Sequence, residues 1–246
     1  MTVTTNGPTY REALSRATLA VYERYAVEVV ERFGFCPWAR AARESGEQVL
    51  RVDFSTNPDD FDESLRLLTE LHQASVSNGR GSDVALFIYP LLDLDRLRFE
   101  DRVRRFRAVA EGGPNKLDGF AMAAFHPAAE ADLSHADRLV PFVRKAPDPT
   151  LQLVRKSALS AIKGLSHGTA FVDVESLSLS GLRALQQPRA KAVRERIADE
   201  NLRTVHDVGA PAIDAIFRDI ARAREQLHEA LLTRYGERGP RRFDPG

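Results

Sequence analysis

Six consecutive apolar or aromatic residues, Val84-Ala85-Leu86-Phe87-Ile88-Tyr89, lie between the glycines of Asn78-Gly79-Arg80-Gly81 and Pro90. The run is too short for a packed helix and has no polar face, so it reads as a strand buried on both sides. A strand of that kind needs neighbours in a sheet and helices above and below it. The flanking sequence supplies both. Val49 to Phe54 alternates as a strand and stops at Ser55-Thr56-Asn57-Pro58, and Gly119 to Phe125 forms a third strand that ends at His126-Pro127. Helical spacing fills the intervals, over Asp59 to Ser75 and about Asp95 to Ala110. The expectation is an α/β fold built on a small three-stranded parallel βαβαβ sheet flanked by helices.

An amphipathic helix over Tyr10 to Phe33 precedes the sheet, with Leu14, Ala17, Val21, Tyr25, Val29 and Phe33 on one face, and a short helix follows from Pro37 to Glu44. Beyond residue 135 the pattern turns helical, over Pro149 to Lys163, Leu177 to Leu185, Ala190 to Leu202 and Pro211 to Tyr235. The domain reading is an α/β domain over 10–165, a helical C-terminal extension packed on it over 166–235, and a disordered Gly-, Pro- and Arg-rich tail over 236–246.

Formal net charge is zero, with 35 basic and 35 acidic residues, so no overall field draws the chain to nucleic acid. No apolar run approaches the roughly 20 residues that span a bilayer, and Met1 to Tyr10 lacks the regions of a signal peptide. With a single cysteine there is no internal disulfide, and the chain reads as cytoplasmic, with a small-molecule ligand as its partner and homo-oligomerisation open.

That cysteine, Cys36, stands in Gly34-Phe35-Cys36-Pro37-Trp38-Ala39-Arg40. Proline directly after it favours extended geometry at Cys36 and suits the first position of a helix, so Cys36 reads as an N-cap whose thiolate faces the positive end of the helix dipole. The competing reading is a buried apolar cysteine between Phe35 and Trp38. His126, at the carboxyl end of a strand, lies where open α/β sheets collect ligands and is a candidate general acid or base; its competing role is a cap satisfied by backbone. Arg144 and Lys145 sit in a loop before Pro147-Asp148-Pro149, with Asp148 a candidate N-cap, and Gln152 and Arg155 share a face of the helix expected there. These residues suggest a site in which Cys36, His126 and Arg155 converge. Asp59, Asp60, Asp62 and Glu63 are explained by a helix N-terminus, and His167, His206 and His228 read as surface residues. No Walker-type or dinucleotide glycine loop, Gly-x-Ser-x-Gly elbow, His-x-x-x-His or paired-cysteine spacing occurs.

Taken in order, Cys-Pro-aromatic-Ala, Leu-Phe-Ile-Tyr-Pro, Ala-Phe-His-Pro and Arg-x-x-Pro-x-Pro-Thr-Leu-x-Leu-x-Arg resemble the DUF1415 family of uncharacterised bacterial proteins, over about residues 15–165. The resemblance implies a compact α/β domain and no established activity. Family members carry histidine where this chain has Tyr89 and Gln152. Phenol and amide oxygens are poor substitutes for imidazole toward zinc, so no zinc is expected, and Tyr89 and Gln152 are expected to read the polar end of a ligand.

Three functions stand open. The first is an enzyme acting on a small anionic metabolite, with Cys36 as nucleophile, His126 as acid or base, and Arg144, Arg155, Tyr89, Gln152 and Trp38 binding substrate. The second is a haem-thiolate protein with Cys36 and His126 as ligands. The third is a non-catalytic protein whose C-terminal helices bind another protein.

Overall fold

The computed structural model describes residues 8–36, 39–78, 83–113, 116–157 and 193–236. Helix α1 (Tyr10–Tyr25) opens with a capping box, in which Glu12 N donates to Thr9 Oγ1 at 3.3 Å and Thr9 N donates to Glu12 Oε2 at 2.8 Å. It runs into a π-helical turn over Ala26–Glu31, and Gly34, at φ 65°, ends it. A short α2 (Ala39–Glu44), β1 (Gln48–Val52), α3 (Asp62–Asn78), β2 (Val84–Ile88), α4 (Arg96–Gly112) and β3 (Phe120–Phe125) follow. Then come α5 (Ala136–Val143), β4 (Thr150–Arg155), α6 (Val193–Val208) and α7 (Ala210–Tyr235). Gly209, at φ 88°, takes the left-handed backbone that lets α7 start one residue after α6 ends.

Where the sequence predicts a three-stranded parallel sheet, the described residues form a four-stranded mixed sheet of order β1-β2-β4-β3. β1 pairs parallel with β2, and β4 lies antiparallel to both β2 and β3. The extra strand is the segment read as a helix from Pro149. Thr150-Leu151-Gln152-Leu153-Val154 alternates with period two, and Leu151 and Leu153 are buried within a ladder on both sides. Pro149 does not open a helix. Its carbonyl accepts from Tyr89 N at 3.0 Å and continues the β2–β4 ladder. Helix α5 was not apparent in the sequence. The helix expected at 177–185 and residues 237–246 of the tail lie outside the described residues.

Helices cover both faces of the sheet. α3 and α4 pack Leu68, Phe99, Val103 and Phe106 onto Phe87, Leu151, Leu153, Phe120 and Met122. The opposite face carries Leu86 and Ile88 against α1, α5, α6 and α7, through Val21, Tyr25, Leu139, Phe142, Val205, Ile213 and Phe217. The C-terminal helices therefore share a core with the sheet. Because Leu153 is fully enclosed in a central strand, Leu153→Ala is expected to cost about 2–5 kcal/mol in urea unfolding. A loss under about 1 kcal/mol, as at a surface position, would contradict the placement of β4.

Candidate functional site at the carboxyl edge of the sheet

β4 runs antiparallel to both of its neighbours, so β1, β2 and β3 all point the same way. Their carboxyl ends deliver Asp53, Tyr89 and His126 to one edge, where β4 begins at Thr150. The polar groups gathered here are mostly buried: Asp53, Ser64, Tyr89, Arg102, His126, Asp148 and Thr150 each expose less than a tenth of their surface.

On the α3/α4 face, Asp53 accepts from Ser55 N at 2.8 Å, from Ser55 Oγ at 2.5 Å and from Ser64 Oγ at 2.5 Å. Ser64 spends its proton on Asp53, so the Tyr89 hydroxyl, 3.0 Å away, donates to Ser64. Burial, reinforced by the Asp53 charge, raises the Tyr89 pKa. Arg102 lies 5.3 Å from the Tyr89 ring centroid and 4.8 Å from that of Phe61, and donates to the carbonyls of Pro58 and Asp60 at 2.5 and 2.9 Å. The side chains of Asp53, Ser64, Tyr89 and Arg102 thus form one connected buried group.

At the end of β3, His126 packs against Phe99, with ring centroids 6.0 Å apart. Its Nδ1 accepts from Ala128 N at 3.1 Å, which leaves the proton on Nε2 to donate to the Leu94 carbonyl at 2.9 Å. Burial lowers its pKa and favours the neutral ring. An acid–base role would require one of those backbone bonds to be released. Beside His126, just past β3, is a recess of about 50 Å³, lined also by Arg96 and Glu100 of α4, Ala124 of β3, and Val140, Pro141 and Arg144 of α5 and its end. The Arg144 guanidinium lies 5.9 Å from the Phe125 ring centroid, and Arg96 pairs with Glu100.

On the α1 face, Asp148 is fully buried and is not the N-cap expected of it. Its Oδ1 accepts from Arg224 Nε at 2.7 Å, and Arg224 Nη2 also donates to the Pro90 carbonyl at 2.9 Å. The Asp148 carbonyl accepts from Tyr22 OH at 3.1 Å and from Thr150 Oγ1 at 2.9 Å, and Tyr22 and Thr150 also touch each other. Burial raises the Asp148 pKa and the Arg224 charge opposes the rise. One turn beyond Arg224, His228 is half-buried with its Nε2 enclosed, and so is not the surface residue expected of it; His206 is exposed.

The residues suggested by the sequence are divided among several places. Cys36 follows Phe35 on the α1 face, half-buried and close enough to Tyr25 for a thiolate to disfavour ionisation of that phenol. His126 packs against Phe99 of α4. Arg155 stands at the far end of β4, 3.4 Å from Asp83 and over Phe120, and does not join His126. Tyr89 and Gln152 take opposite faces, Gln152 being aligned with Leu86. Arg144 alone accompanies His126. Trp38 and His167 lie outside the described residues. Sequence reasoning missed Asp53, Ser64, Arg96, Arg102 and Arg224; of these only Asp53, one residue past a strand, carried a local signal.

Among the described residues no group of three or more His, Cys, Asp or Glu side chains is placed to hold a metal ion, and no helix is long and apolar enough to cross a membrane. A family model described as a protein of unknown function (DUF1415) matches residues 19–175. No curated protein and no solved structure matches the chain.

Burial and the nearby Arg224 lower the His228 pKa from 6.5 to about 4. Above pH 6.5 the ring is neutral in both folded and unfolded chains. As pH falls from there toward 4, the unfolded chain takes up a proton that the folded chain refuses, so stability drops. His228→Leu is expected to flatten that decline, measured as urea midpoints between pH 7 and pH 4.5. An unchanged slope would place the acid sensitivity in other groups.

Proposed function

The chain belongs to the DUF1415 family, and from that premise we propose that it is an enzyme of small anionic metabolites that grips a carboxylate or phosphate in the recess at the end of β3. The observation that carries this reading is the meeting of Arg96, His126 and Arg144 in one recess at the carboxyl edge of an α/β sheet, where such folds take their ligands. A space of about 50 Å³ suits a single anionic head group, since one water occupies about 30 Å³ of liquid. The rest of a ligand would extend into solvent.

Arginine supports this role because its planar fork gives two parallel hydrogen bonds to an oxyanion. Arg144, at the end of α5, and Arg96, on α4, bring their guanidinium groups to the recess from two different elements. His126 is neutral and held by backbone; it shapes the wall without adding a competing charge. Cys36 follows Phe35, which packs in the apolar cluster on the α1 face, and is not among the residues that line the recess.

Inorganic phosphate and small mono- and dicarboxylates are the probes, with binding followed by calorimetry and thermal shift. Arg144→Gln is expected to weaken the best of them about tenfold or more, the loss of one charge-assisted pair, with the melting temperature of the unliganded protein held. Binding that survives Arg144→Gln unchanged, or no binding of any probe to the native chain, would overturn the assignment.

A further inference from the structure

Helices α1 and α7 run antiparallel. Tyr10 meets Tyr235, with ring centroids 6.0 Å apart, and Arg24 bonds Asp219 at 2.5 Å. That alignment sets Tyr22 across from Arg224 and, one turn away, Thr18 across from His228. Tyr22 and Arg224 both reach Asp148. On α1, on the segment before β4 and on α7, three buried side-chain atoms have no hydrogen-bond partner among the described residues: Thr18 Oγ1, Asp148 Oδ2 and His228 Nε2. Thr18 and Asp148 are each fully enclosed.

Unbonded polar atoms in the interior are costly and rare, so three such atoms, contributed by three separate elements, mark a place where something polar binds. The surroundings restrict its chemistry. An anion would meet the Asp148 carboxylate, and a cation would meet the Arg224 guanidinium 2.7 Å from that carboxylate. Full enclosure of Thr18 and Asp148 excludes anything much larger than solvent. A carboxylate oxygen only accepts, whereas a hydroxyl and a neutral imidazole can each either donate or accept.

We propose that Thr18, Asp148 and His228 form the binding site of a single ordered water that bridges α1, the segment leading into β4, and α7. The water donates to Asp148 Oδ2, and its remaining donor and acceptor positions serve the Thr18 hydroxyl and His228 Nε2. Buried waters typically make about three such bonds. The bridge adds a polar fastening for α7, which lies beyond the matched residues 19–175, onto the sheet edge within them.

Two measurements on the full chain test it. A high-resolution crystal structure should show a solvent peak within about 2.6–3.2 Å of all three atoms. Thr18→Val, which keeps shape and removes the hydroxyl, should lower the melting temperature by about 2–4 °C, because it breaks the bridge. Either of two results overturns the proposal. One is density in which the three side chains bond one another directly, or in which no solvent is present. The other is a valine variant that melts at the same or a higher temperature, since deleting a truly unbonded hydroxyl relieves its desolvation.

Discussion

Among the described residues β4 is the only neighbour β3 has in the sheet, and it is also the second neighbour of β2. Without it the third strand would lose the backbone pairing that β4 supplies, and the α3/α4 core would lose Leu151 and Leu153. Its antiparallel course has a further effect. The chain must return to the carboxyl ends of β1, β2 and β3 in order to start β4, so the segment 144–149 is drawn to that edge and brings Arg144 and Asp148 with it. The His126 amide donating to the Arg144 carbonyl at 3.1 Å fastens this return. Sheet pairing thus determines which polar groups meet.

The edge is expensive to build. Asp53 and Arg102 are charged groups withdrawn from water, tolerable because their neighbours meet them with hydrogen bonds, and Asp148 is held at Oδ1 by Arg224. Arg102 has two backbone carbonyls and two aromatic faces where an exposed arginine would have solvent. Asp53 has two serines, Ser55 and Ser64. Such demands are directional and leave little room for alternative packings of the 53–64 loop, which two-sided apolar contact alone would hold less specifically.

Most elements were legible because their patterns are local. The apolar run at 84–88, the alternation leading to Val52, and the spacing of Leu14, Val21 and Tyr25 each announce their own periodicity. β4 was misread because Asp148 and Pro149 imitate a helix start so well that they outweighed the two-residue alternation after them. Local chemistry there is overridden by pairing with β2 and β3, whose residues opposite Thr150, Ile88 and Phe125, are 62 and 25 positions away. His126 and Tyr89 could be found as strand ends. The Asp148–Arg224 pair could not, since nothing near either residue foretells a partner 76 positions away.

The pairing of α1 with α7 has a consequence for synthesis of the chain. Arg24 and Asp219 are 195 residues apart, and at 5–20 residues per second the ribosome takes on the order of ten seconds or more to make that interval. During this time α1 has emerged with the side meant for α7 uncovered, and Tyr22 and Tyr25 have only part of their final company. Contacts this remote in sequence form late in any folding scheme. The chain thus passes through a nascent stage in which its first helix must be sheltered, by transient packing on the sheet or by a chaperone, until its last helix arrives.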